Sequence, residues 1–129
     1  MTRAEAARTT LAIFFVAAGA LHFIVPSYYV AIVPSYLSAP RALVALSGVA
    51  EIAGGVGLLI PRLRQAAGVG LMLLLVAVFP ANIEMLRQAR ARSGPSWVET
   101  VLWLRLPLQA LLLWLAWRLS GPFSRPRAA

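Results

Sequence analysis

Five polar side chains interrupt stretches that are otherwise apolar: His22, Glu51, Asn82, Arg105 and Gln109. Their types point to a small set of chemistries. An imidazole beside a carboxylate can relay a proton. A guanidinium and two carboxamides can donate hydrogen bonds to a carbonyl or an anion. In hydrocarbon each such group is costly, a Glu or Arg at a helix centre by about 2.5–3.5 kcal/mol on insertion scales. One of each in a short chain therefore predicts that Glu51 and Arg105 meet, with His22, Asn82 and Gln109 as hydrogen-bonding neighbours. The plainer alternative is that the five only fix helix register, Asn82 and Gln109 contributing roughly 1 kcal/mol each.

Other chemistries lack their residues. There is no cysteine, which excludes disulfides, thiolate metal sites and dithiol redox work by this chain. A single His among scattered acids gives no transition-metal site. No nucleophile elbow or ordered triad is present. Gly54, Gly55 and Gly57 lie within an apolar run, so packing explains them better than phosphate binding. The chain reads as no enzyme on its own. Tyr28, Tyr29, Tyr36, Trp97 and Trp103 read as an aromatic belt at one membrane face. Glu99 reads as a helix cap, and Glu84 as a partner for Arg87 or Gln88.

The elements that must carry these residues follow from composition. Of 129 residues, 60% are hydrophobic and only 12% charged, and the mean hydropathy is +0.79. Such a chain has too little polar surface to cover itself in water. A net charge of +8 could suggest nucleic acid, but the arginines sit at the ends of apolar runs, where they suit anionic headgroups, and no nucleic-acid partner is expected.

Four runs predict an all-α fold, a four-transmembrane-helix bundle in one domain over residues 1–120. The spans are about 8–25, 40–60, 66–86 and 97–119. Thr2 and Glu5 have capping-box spacing, as do Ser96 and Glu99. Pro26 stops the first run, Pro40 opens the second and Pro61 follows it. Pro80 should kink the third run without ending it. Ala18-Gly19-Ala20 resembles a signal cleavage pattern, but the later apolar runs favour an uncleaved first span. The short alternating segments of a membrane barrel are absent. Residues 121–129 read as a disordered tail.

Arg3, Arg8, Arg62, Arg64, Arg118, Arg125 and Arg127 fall on one side, against Arg41, Arg87, Arg90 and Arg92 on the other. That bias predicts both termini in the cytoplasm of a bacterial-type inner membrane. At about 1.5 Å of rise per residue, the five polar groups lie about 14–24 Å from that edge, in one layer. Small residues one turn from Glu51 (Ser47, Gly48, Gly54, Gly55) and from His22 (Ala18, Gly19) turn both faces toward neighbouring helices.

Several of these stretches carry a family resemblance. Gly19-Ala20-Leu21-His22-Phe23, Pro26 and Ile32-Val33-Pro34 resemble the first span and loop of DoxX-like membrane proteins. So do Ser47-Gly48, Glu51-Ile52, Gly54-Gly55, Pro61-Arg62, Phe79-Pro80-Ala81-Asn82 and Trp103-Leu104-Arg105-Leu106-Pro107-Leu108-Gln109. The resemblance runs over about residues 8–119 and implies a four-helix membrane bundle. Relatives of that broad family are associated with thiosulfate oxidation through quinone, methylamine utilisation and oxidative-stress assemblies, so it implies an accessory subunit of a membrane redox system. The polar cluster would then bind a quinone or similar amphipathic ligand, and a partner would supply electrons. The alternatives are a proton-coupled small-solute permease, working as a homo-oligomer with Glu51 and His22 as relay, and a purely structural scaffold.

Overall fold

The computed structural model describes residues 1–91 and 96–121, with the side chains at 96–98 and 101 outside the description. Among the described residues every regular element is a helix. These are α1 (Arg3–Ile24), α2 (Pro26–Ala31), α3 (Pro40–Leu59), α4 (Arg64–Ala91) and α5 (Ser96–Ser120). Three of them, α1, α3 and α4, are long and apolar enough to cross a membrane.

Local chemistry sets the ends. Thr2 Oγ1 accepts the Glu5 N–H at 3.1 Å while Glu5 Oε2 accepts the Thr2 N–H at 2.6 Å, the reciprocal box that the spacing predicts. α1 stops at Ile24, and Pro26 begins the short helix α2 where the sequence suggests only a stop. Proline has no N–H to lose in a first turn, and its fixed φ suits that position. Pro80 and Pro107 both lie inside continuous helices. α5 ends on Gly121 at φ 63°, the left-handed conformation that glycine adopts without a Cβ clash. The cap expected of Ser96 and the tail from residue 122 lie outside the described residues.

The four long helices run up and down in sequence. α1 packs chiefly on α3, α4 on α5, and α3 joins the two pairs. Glycine makes the first contact possible: a Cβ on Gly19 would lie 2.7 Å from the Gly48 carbonyl oxygen, and one on Gly55 would lie 2.8 Å from the Ala12 carbonyl oxygen. Gly19, the middle of the cleavage-like tripeptide, is thus an integral part of the helix interface. α1 meets α5 mainly at the end that holds the chain termini, where Arg8 Nε donates to the Leu119 carbonyl at 3.0 Å.

That end is solidly filled by Leu11, Ala12, Phe15, Leu58, Leu71, Leu75 and Ala116. A smaller cluster, Met85, Leu86 and Leu102, ties α4 to α5 at the far end. The exterior is apolar: Ile13, Ile24, Leu46, Leu73, Val76 and Leu104 are between 61% and 70% exposed. An outer surface of that kind suits lipid, and the three long apolar helices are compatible with a multi-pass membrane protein.

Candidate functional site

Between the α1–α3 pair and the α4–α5 pair, toward the far end, lies a cavity of about 490 Å³. All five polar residues singled out in the sequence border it, together with Tyr29. Its walls are otherwise mostly apolar, with Phe15, Val44, Leu75 and Leu112 among them. α2 and the following loop close over it through Tyr29, Ile32 and Pro34.

The pairing inside differs from the expected one. Glu51 makes no ion pair with Arg105. Its Oε2 instead lies 3.1 Å from His22 Nδ1, both side chains being largely buried at 17% and 11% exposure. The close-packed glycines explain this choice. Gly48 contacts the stem of His22, and Gly19 contacts the stem of Glu51, so these two side chains leave the α1–α3 seam side by side. Helix α5 is not part of that seam, and this removes Arg105 from the competition.

His22 Nδ1 also lies 2.9 Å from the Ala18 carbonyl oxygen. One ring nitrogen carries at most one proton, so it can serve only one of these two acceptors. The carbonyl takes the hydrogen bond, and Glu51 Oε2 is buried with no hydrogen-bond donor. The Tyr29 ring stacks on the imidazole at 4.0 Å between centroids and 20° between planes. Tyr29 therefore belongs to the cavity, whereas Tyr28, Tyr36 and Trp103 are exposed. In sequence Tyr29 differs from its neighbours in nothing but register. Only the short helix α2 turns it inward.

Across the cavity, Arg105 Nη1 donates to the thioether sulfur of Met85 at 3.3 Å. A thioether is a weak acceptor, so the guanidinium retains most of its donors. Asn82 Nδ2 donates to Gln109 Oε1, and Gln109 Nε2 donates to the Leu75 carbonyl. These two amides link α4 to α5 and hydrogen-bond each other, with no ion pair between Glu51 and Arg105 for them to flank. The Leu75 carbonyl lies five residues before Pro80 and next to that of Val76, which the missing proline N–H leaves without its helical donor.

Outside the cavity, Glu84 accepts from Arg87 Nε at 2.9 Å and from Gln88 Nε2 at 3.2 Å, so it takes both expected partners. Glu99 accepts from Trp103 Nε1 at 3.4 Å and lies 3.4 Å from Arg90 Nε. The Trp97 side chain lies outside the described residues.

The cavity thus has a carboxyl group lacking a donor on one wall and a cation lacking a carboxylate on another. The amides of Asn82 and Gln109 border the same cavity, already occupied with each other. No curated protein and no solved structure matches the chain. The profile of the domain of unknown function DUF8561 matches residues 11–120, the stretch that contains every cavity residue named here, and the chain belongs to that family.

Proposed function

We propose that the chain is a four-span protein of a bacterial-type inner membrane, with both termini cytoplasmic. In this reading it is a DoxX-like accessory subunit whose central cavity binds a quinone or a similar amphipathic ring compound. The ends of α1 and α5 meet through Arg8 and Leu119, which supports termini on one side. The 25 residues of α5 are enough to cross a bilayer, since a span needs about 20.

One observation carries the ligand reading. Glu51 Oε2 has no donor, Arg105 has no carboxylate, and both border one largely apolar-walled space. Its volume falls within the roughly 300–1,000 Å³ typical of small-molecule sites. A 1,4-dione suits these walls. Arg105 can donate to one ring oxygen. Glu51 can donate to an oxidised ring when protonated and accept from a hydroxylated ring when ionised. A bound quinone would supply two-electron redox capacity, with electrons exchanged through a partner subunit.

The test uses the purified chain in nanodiscs and the short-tailed quinone decylubiquinone. Saturable quenching of tryptophan fluorescence is expected. Arg105→Gln should weaken it by about 10- to 100-fold, since a hydrogen bond to a charged group contributes roughly 1.5–3 kcal/mol. Quenching that never saturates, or that Arg105→Gln leaves unchanged, would refute the reading.

A further inference from the structure

His22 borders a second cavity as well. This outer space, of about 410 Å³, lies between the end of α1, α2 and the start of α3, and includes Ser27, Val30, Arg41 and Ala45 in its wall. Ser27 and Arg41 are exposed, so this cavity opens to a polar surface zone at the far end of the bundle, formed by these two side chains. The imidazole therefore stands between a space open to that zone and the largely buried carboxyl of Glu51.

We propose that His22 carries protons between the outer cavity and Glu51, and through Glu51 to the central cavity. The step balances within the imidazole. A proton from the outer side forms an N–H bond at Nε2, the ring turns its Nδ1–H from the Ala18 carbonyl toward Glu51 Oε2, 3.1 Å away, and that N–H bond breaks as an O–H bond forms. The ring ends neutral, in the other tautomer, and rotation or reversal of the step resets it. The groups facing it set its environment: Tyr29 stacked from α2, Glu51 from α3, Arg41 in the outer wall and Arg105 beyond Glu51 in the central wall. Asn82 and Gln109, the polar residues from α4 and α5 in the same layer, carry no charge. The alternative Nδ1 acceptor, the Ala18 carbonyl, holds the ring in place between transfers.

Delivery to a bound ligand rests on the reading of the central cavity given above, whereas the route to Glu51 stands without it. The experiment is time-resolved infrared spectroscopy of the full chain in liposomes after a pH jump. It follows the carboxylate-to-carboxyl conversion that Glu51→Gln abolishes. His22→Phe, which keeps a ring against Tyr29, should slow that conversion by on the order of a hundredfold, the low end of what a positioned acid–base group contributes. Ala45→Phe, which fills the outer cavity from α3 and leaves His22 in the chain, should slow it in the same direction.

Circular dichroism of each variant confirms that it is folded. Wild-type rates in both folded variants, or no conversion dependent on Glu51 at any pH the protein tolerates, would overturn the proposal. Decylubiquinone quenching measured on the same samples separates the two readings. A His22-dependent rate without quinone binding removes only the ligand, and quinone binding with a His22-independent rate removes only the route.

Discussion

Glu51 and Arg105 are the two residues whose cost in hydrocarbon most demands a partner, and neither finds the other. Each lies on the cavity wall with a weaker companion, His22 for the acid and the Met85 sulfur for the base. Two outcomes follow for mutational cycles measured by thermal unfolding in detergent. Glu51→Gln and Arg105→Gln should be additive within about 0.5 kcal/mol, as for residues sharing no contact. A coupling of 1 kcal/mol or more would reinstate a direct ion pair. Asn82→Ala and Gln109→Ala should instead be strongly non-additive, because either change alone breaks the same amide bond. Each single variant should lose about 0.6–2 kcal/mol, the range for polar contacts between membrane helices. Gln109→Ala should cost more, since it also removes the donor to the Leu75 carbonyl.

Among elements, the α1–α3 seam decides which residues share a wall. Gly19 and Gly48 allow backbone contact there, and that contact sends His22 and Glu51 out together. Gly48→Val should therefore separate the helices. A Cβ at that position would meet the His22 and Phe23 side chains at 2.8 Å and the Gly19 carbonyl at 3.0 Å. A loss of at least about 1–3 kcal/mol is expected, the usual cost of overpacking, and the His22–Glu51 approach should be lost with it. Gly70→Ala is the matched control, because a Cβ there meets nothing within 4 Å. That change should be neutral or stabilising by up to about 1 kcal/mol, as for alanine replacing glycine inside a helix. Equal effects of the two substitutions in an unfolding assay would show that glycine serves flexibility here and not close approach.

At the scale of the whole molecule, two tightly packed helix pairs diverge from a solid core at the chain-terminal end. The cavity is the space left between them at the other end. The proposed topology predicts that a fluorescent-protein reporter lights up when fused at either terminus. An alkaline phosphatase reporter should be active only when inserted in the loop after α2 or the loop after α4. Phosphatase activity at a terminus would invert or break the four-span arrangement.

The long helices were legible in the sequence, because the Thr2–Glu5 capping box, prolines and apolar run lengths act locally, whereas the short helix α2 was not. That the five polar residues gather in one layer of the bundle was legible too, since position along a helix follows from the rise per residue, and they border one cavity. The partners within that layer were not. Glu51 could reach an imidazole or a guanidinium, and the choice turned on the glycine contact that pairs α1 with α3. Tyr29 looked like any belt tyrosine until the short helix after Pro26 turned it onto His22. Hydrophobic burial is nondirectional, so an apolar pattern specifies that helices associate. Only backbone approach and side-chain shape specify which neighbour each polar group meets.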